Sequence, residues 1–340
     1  VDDWEDWKEI VPWIRKGLEW PDWMSELTGI KPEGKIYGIP QEWWDYSLIY
    51  NSEHFKDAGV PKPPETFDEL SEVAKTLTRD IDNDGKIDRY GYTCRGTSDW
   101  ALRDGPDLWI LSYATPKGEW KGNITLDEDL NPIYENEGAI EGYEKFIEMV
   151  RSGVCPPSLP NDGGSEHLNY FTGGIVSMTL GRTYFPPQSK IAGIPVESAH
   201  VPKGPCRWAN ELSIDAFVIF KKSEHKEAAW RWITFMSSGE GVKLWAEYGE
   251  GIPGLPGPNN EYWDILTDDK QKYGSHAFKA FLEQIQNPNI QHFMWDYPPQ
   301  YYKVLSDIIS INQAALLGKL EPREAMLKMA EVYKKELQKR

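Results

Sequence analysis

The sequence predicts an α/β protein built as two lobes. Three observations predict it: helical patterns alternate with short strand-like runs, loops rich in Pro and Gly punctuate them, and 340 residues are enough for two cores of useful size. One compact domain of that length would be large. No internal repeat interrupts the alternation.

The first clear element is a helix. Thr66-Phe-Asp-Glu69 is a capping box, in which the Thr hydroxyl accepts an early backbone N–H and the Glu carboxylate reaches back; it follows Pro61, Pro63 and Pro64. The helix is expected to start at Phe67 and end near Thr78. A second covers about Ala139 to Val150, with Ile140, Tyr143, Ile147 and Val150 on one side and Gly153 ending the stretch. Ile175 to Leu180 and Ile214 to Phe220 read as strands, the latter too apolar to be other than central. Between Glu227 and Met236, Ala229, Trp232, Ile233 and Met236 fall at helical spacing, so Trp232 is expected to pack inward. The carboxyl end returns to helices. Leu305, Ile308 and Ile309 begin one, and Met326, Met329, Ala330, Tyr333 and Leu337 stripe another whose Pro322 suits the first turn.

A net charge of −17 argues against nucleic acid or an anionic membrane as partner, because phosphate binding needs clustered Lys and Arg and no such stripe is present. No apolar run approaches the ~20 residues that span a bilayer, and no signal-like segment opens the chain. Cys94, Cys155 and Cys206 lie far apart without a CxxC, and every His stands alone, so neither a zinc site nor a Cys–His pair is signalled. An odd count permits one disulfide at most, with Cys155 and Cys206 one available pairing.

Sixteen tryptophans are the most telling feature. Many sit beside charged or polar residues, and an indole offers a flat apolar face at low entropic cost, which suits a recognition surface for a sugar ring. Burial in a core is the ordinary fate of Trp. Trp43, Trp44, Trp100, Trp208 and Trp295 are nevertheless expected to face a ligand, given neighbours such as Glu42, Asp45, Asp99, Arg207, Asn210, Glu211 and Asp296.

Ordered blocks along the chain resemble the family 1 extracellular solute-binding proteins of ABC transporters, the maltose-binding-protein-like group. Gly34-Lys-Ile-Tyr-Gly-Ile-Pro40, then Leu48-Ile-Tyr-Asn51, then Phe55 to Leu70 follow the family's most recognisable stretch. Phe171-Thr-Gly-Gly-Ile-Val-Ser-Met178 is similar to its F-x-x-G-K-x-A-M block. Pro202 to Pro205, the helix from Lys226 and Gly318 to Ala325 come in the expected order.

The resemblance implies a two-lobed periplasmic-binding-protein-like fold of type II, with a hinge and an interlobe cleft, and no enzymatic activity. Hinge closure over the ligand would be what a membrane permease reads. One crossing is expected near Glu42 to Tyr46 and another near Asn210 to Ile214. The amino-terminal lobe would comprise 1–44 and 212–256, and the carboxyl-terminal lobe 45–211 and 257–340. The strand–helix–strand that relatives carry ahead of the position matching Val1 is absent from this sequence. It is expected to belong to the protein, with a signal or lipid-anchor segment, since its loss would strand an unpaired sheet edge.

Carried over by position, the ligand-binding candidates begin with Asp3 and Trp4, then Trp43, Trp44 and Asp45, then Arg95, Asp99 and Trp100. Arg182 and Tyr184 follow the next strand, Trp208, Asn210 and Glu211 lie at the second crossing, and Trp295 and Tyr301 precede a late helix. Aromatic planes would cover sugar C–H faces while carboxylates and Arg forks bond hydroxyls. The expected ligand is a di- or oligosaccharide bound by a monomer, in the periplasm or outside the cell. A peptide, polyamine or metal ligand is the alternative within binders.

Asp80-Ile-Asp-Asn-Asp-Gly-Lys-Ile-Asp88 resembles an EF-hand loop, with carboxylates at alternate places, a glycine sixth and an apolar residue eighth. Asp80, Asp82, Asp84 and Asp88, with the Lys86 carbonyl, would hold a structural Ca²⁺. The twelfth position is Gly91 instead of a bidentate Glu. The competing class is a glycoside hydrolase, for which Asp45 and Glu211 would be the carboxylate pair.

Overall fold

The computed structural model describes residues 4–32, 36–98, 101–118, 123–248, 251–255, 260–294 and 297–339. Two four-stranded mixed sheets organise these residues. The strands are β1 (Ile39–Asp45), β2 (Ser47–Asn51), β3 (Tyr90–Thr93), β4 (Val176–Gly181), β5 (Val196–Ala199), β6 (Trp208–Phe217), β7 (Ile252–Pro253) and β8 (Ile290–Met294). The first sheet runs β7-β1-β6-β8 and the second β3-β4-β2-β5.

β1 and β2 are separated by Tyr46 alone and yet belong to different sheets, so the chain changes sheet across Asp45–Tyr46–Ser47. The return passage is residues 200–207. β6 then runs unbroken through the 210–214 stretch where a crossing was expected. Its first half pairs in parallel with β8, from Trp208↔Ile290 to Leu212↔Met294, and its second half pairs antiparallel with β1, from Leu212↔Asp45 to Phe217↔Ile39.

The larger core cluster packs helices Phe67–Leu77, Asp107–Tyr113, Glu137–Met149, Pro299–Leu316 and Pro322–Leu337 with the second sheet; Phe67, Trp109, Tyr143, Met178 and Tyr333 are fully buried there. The smaller one gathers Ile14, Trp43, Leu212, Ile252, Phe278 and Phe281. The capping box is formed as expected, Thr66 Oγ1 accepting from the Glu69 N–H and Glu69 Oε2 from the Thr66 N–H. Gly153 takes φ 87° just past the Glu137–Met149 helix, a left-handed value that ends it at little cost for glycine.

Two local expectations change. The apolar stretch 214–220 is not a central strand: burial runs from Ala209 to Ser213, whereas Val218 and Phe220 are 55% and 79% exposed. The ladder with β1 stops at Phe217, and no strand pairing is recorded beyond it among the described residues. The polar half of the strand is buried because the Asp45–Tyr46 segment covers Asn210 and the larger core encloses Ala209. Trp232 is likewise 53% exposed, its ring edge against Phe217, while Ile233 takes the core position and Trp230 packs partly. The three cysteines are free, with Cys155 buried and Cys206 exposed, so the Cys155–Cys206 pairing is not made.

Candidate functional site

Strand alternation sorts the candidates onto two faces of the first sheet. Residues directly opposed in a ladder share a face, and successive residues alternate. The register Glu42↔Asp215, Trp43↔Ile214, Trp44↔Ser213 and Asp45↔Leu212 therefore puts Glu42, Trp44, Glu211, Ser213 and Asp215 on one face and Trp43, Asp45, Asn210 and Trp208 on the other.

The first of these faces meets the turn that follows β4. Trp44 Nε1 donates to Asp215 Oδ2 at 2.9 Å, and the Trp44 ring lies edge-on to Tyr184, just past β4, with centroids 6.2 Å apart. Trp44 also borders a cavity of about 640 Å³ walled by Glu42, Phe235, Leu244, Trp245 and Tyr248, where Glu42 Oε2 accepts from Trp245 Nε1 at 3.1 Å.

Beside this aromatic pair lies a buried polar network. Arg182, 8% exposed, donates from Nε and Nη2 to the Tyr46 hydroxyl at 3.0 and 2.6 Å and from Nη2 to Asp104 Oδ1 at 2.7 Å. Tyr46 in turn donates to Asp104 Oδ1. Arg95 Nε is 3.1 Å from Asp104 Oδ2, an ion pair without an aligned hydrogen bond. Burial pushes the Asp104 carboxyl up, but the Arg182 and Arg95 guanidiniums outweigh it and hold the group below the usual carboxylate range. Tyr184 OH is 3.2 Å from His167 Nε2, and burial lowers that imidazole to about 4, keeping it neutral. Arg103 donates from Nε to Tyr297 OH at 2.7 Å and lies 4.3 Å over the same ring. Burial raises Asp107 to about 7 against the pull of Arg103, and the Glu211 charge reaches Arg103, Tyr46 and Tyr297. Guanidinium forks, carboxylates and phenols at this density can bond several hydroxyls of a polyol, and the flanking rings can cover its C–H faces.

The other candidates sit elsewhere. Trp43 is 0% exposed inside the smaller core. Asp45 and Asn210 grip the sheet-changing segment: Asn210 Nδ2 donates to Tyr46 O at 3.0 Å and to Asp45 Oδ2 at 3.3 Å. Burial lifts the Asp45 carboxyl well above its ordinary value. Trp208 donates to Val201 O at 2.6 Å and lines a separate cavity of about 300 Å³ with His200, Lys62 and Lys203. Tyr301 stacks on Tyr297 at 4.6 Å within the larger core, and Trp4 packs edge-on to Trp230 at 6.3 Å. Asp3, Asp99, Trp100 and Trp295 lie outside the described residues.

Tyr46, Arg103, Asp104, Asp107, His167, Tyr297 and Gln284 were not singled out from sequence. The Arg103-Asp104 dipeptide was the available signal for two of them; Gln284 had none.

In the 80–88 loop, carboxylate oxygens of Asp80, Asp82 and Asp88 come within 4.8 Å of one another. The Asp80 and Asp82 carboxylates accept the Asp84 N–H, and Asp80 also the Gly85 N–H. Arg79 and Arg89 close the loop base through paired backbone hydrogen bonds. Gly91 explains the missing twelfth ligand. A Cβ there would collide with the Ala74 carbonyl on the neighbouring helix, so no Glu fits.

The chain has relatives among known proteins. It is 25% identical over 209 residues, 60% of its length and 47% of the relative's, to a binding protein of Brucella abortus (strain 2308), and so spans about half the length of the curated relatives it matches. Its fold is similar to an ABC substrate-binding protein from Listeria monocytogenes in complex with cycloalternan, with a TM-score of 0.76, 18% identity and coverage of 98% and 77% of the two chains. It is also similar to maltose-bound T. maritima MalE3, with a TM-score of 0.69, 20% identity and coverage of 95% and 77%. Among the described residues no helix is long and apolar enough to cross a membrane. Residues 5–243, more than half of the chain, match the family described as bacterial extracellular solute-binding protein, and the chain belongs to that family.

Proposed function

We propose that this protein is the extracytoplasmic substrate-binding component of an ABC transporter, a monomer that holds a di- or oligosaccharide between its two lobes and delivers it to the membrane permease. The observation that carries the reading is the meeting of Trp44 from the first sheet with Tyr184, which follows the second sheet's β4, beside the Arg182–Asp104–Tyr46 network. Trp44, Arg95, Arg182, Tyr184 and Glu211 are the proposed ligand contacts. The change of sheet at Asp45–Ser47 supports a lobe boundary there, and because β6, β7 and β8 all belong to the first sheet with β1, the proposed first lobe takes 1–45 and about 208–294 and the second 46–207 and about 295–340, in place of the 212–256 and 257–340 division expected from sequence.

A glycosidase is the poorer reading. Asp45 and Glu211 project from opposite faces of the sheet, so they cannot flank one glycosidic bond. Titration with a panel of neutral oligosaccharides, following Trp fluorescence and product formation together, tests the proposal: saturable quenching without cleavage is expected, and turnover would overturn it.

Calcium in the 80–88 loop belongs to the same proposal, as a structural ion. Three converging carboxylates support it, and the excluded twelfth ligand argues for weak binding, of the order of 10⁻⁴–10⁻³ M. Millimolar CaCl₂ should raise the melting temperature and chelator should reverse the rise, with sugar affinity unchanged; an identical melt in calcium and chelator would remove the ion.

A further inference from the structure

We propose that Gln284 is the pin of the hinge, a positioning residue whose buried amide ties the passages between the two sheets together and sets how readily the lobes close on a ligand. The inference rests on the two-lobe binding reading above.

Gln284 ends the helix Lys279–Gln284 and is 0% exposed. Its Nε2 faces three acceptors on the first passage: Asp45 Oδ2 at 2.6 Å, the Tyr46 carbonyl, and Ser47 Oγ at 2.8 Å. Its Oε1 accepts from the Val201 N–H at 3.3 Å, on the second passage. Its own carbonyl lies 3.3 Å from His292 Nε2, in β8, the edge strand of the first sheet. One side chain thus touches both connections between the sheets, and its carbonyl reaches a third strand of the first sheet. Asn210 reinforces the grip from β6, its Oδ1 accepting the Tyr46 N–H at 3.3 Å.

The position matters as much as the count. Gln284 bonds Asp45, whose side chain is on the sheet face opposite Trp44 and Glu211, so it acts from behind the proposed ligand contacts. Rotation of one lobe against the other must turn these backbone segments. An NH₂ with two hydrogens shared among three acceptors can redistribute its bonds as the angle changes, holding the passages together in more than one arrangement. The Tyr46 backbone held here carries the phenol that bonds Arg182 and Asp104, which couples the hinge to the site.

A residue that acts only through the closed fraction scales every ligand's apparent affinity by the same factor, because the apparent Kd is the intrinsic Kd divided by the competent population. A residue that touches the ligand changes the ranking of ligands. The test measures Kd for the neutral di- and trisaccharides of the wild-type panel with Gln284→Leu, which keeps the volume and removes the amide, and records small-angle scattering of the sugar-free proteins. Kd should move by about 5- to 100-fold, by a common factor across sugars, with a changed radius of gyration in the sugar-free state. Ser47→Ala, which removes one acceptor, should give the same pattern with a smaller factor and stands in if Gln284→Leu does not fold. Unequal factors among sugars, or no change in either measurement, would overturn the pin. If the wild type binds no sugar, the binding reading fails instead, and the sugar-free scattering of variant against wild type still decides whether Gln284 sets the lobe angle.

Discussion

Trp44→Ala should weaken sugar binding by about 1–4 kcal/mol, while Trp43→Ala, one residue earlier, should leave the affinity of the folded protein unchanged and cost about 3–5 kcal/mol of stability. The two indoles are adjacent in sequence and opposite in role because β1 is extended. Trp44 points to the face that meets Tyr184 and the large cavity, where it can stack on a ring that loses its water on binding. Trp43 points the other way, pairs with Ile214 and Ile252, and is wholly enclosed, so truncation leaves a hole that the closely packed core refills only in part. Isothermal titration and urea unfolding of both variants separate the effects. An affinity loss in Trp43→Ala equal to that in Trp44→Ala would contradict the assignment of faces.

Arg182→Ala should destabilise the protein by about 3–5 kcal/mol, the usual cost of removing one member of a buried ion pair. Arg182 and Asp104 are 8% and 3% exposed, so solvent screens the pair little. Without the guanidinium, Asp104 stays buried beside Arg95 alone, and the Tyr46 hydroxyl loses its two donors from Arg182. Arg182→Lys should rescue only part, since an ammonium cannot span both acceptors as the planar fork does. The pH dependence follows from the direction of the Asp104 shift. Its folded value lies below the unfolded 3.8, so the stabilisation is complete above the unfolded value and is lost as the pH falls through the folded one. The gap between wild type and Arg182→Ala in urea unfolding should therefore be largest near neutral pH and narrow below about pH 4. A gap that widens in acid would show that Asp104 is not the partner being lost.

Features whose determinants lie within a turn or two of chain were legible in the residues. The helix at Phe67 needs only Thr66 and Glu69, three residues apart, to satisfy its first donors. The stripe from Met326 to Leu337 needs only a 3.6-residue period to place its buried side. The same locality misled at 214–220, where hydropathy pointed to the core and the strand's buried centre turned out to be Ala209 to Ser213. Asn210 and Glu211 look like surface residues by composition. They are inside because partners from distant segments surround them.

The chain's own pattern therefore determined the α/β class, the five longest of the described helices and the pool of residues from which a site could be drawn. Only the tertiary structure decided which of them share a face and which meet. Trp43 and Trp44 cannot be told apart until the register of β1 against β6 is known. Tyr46 meets Asp104 across 58 residues, Arg182 across 136 and Gln284 across 238. Such contacts leave no periodic trace in sequence, because what brings them together is the packing of two sheets around one short change of strand.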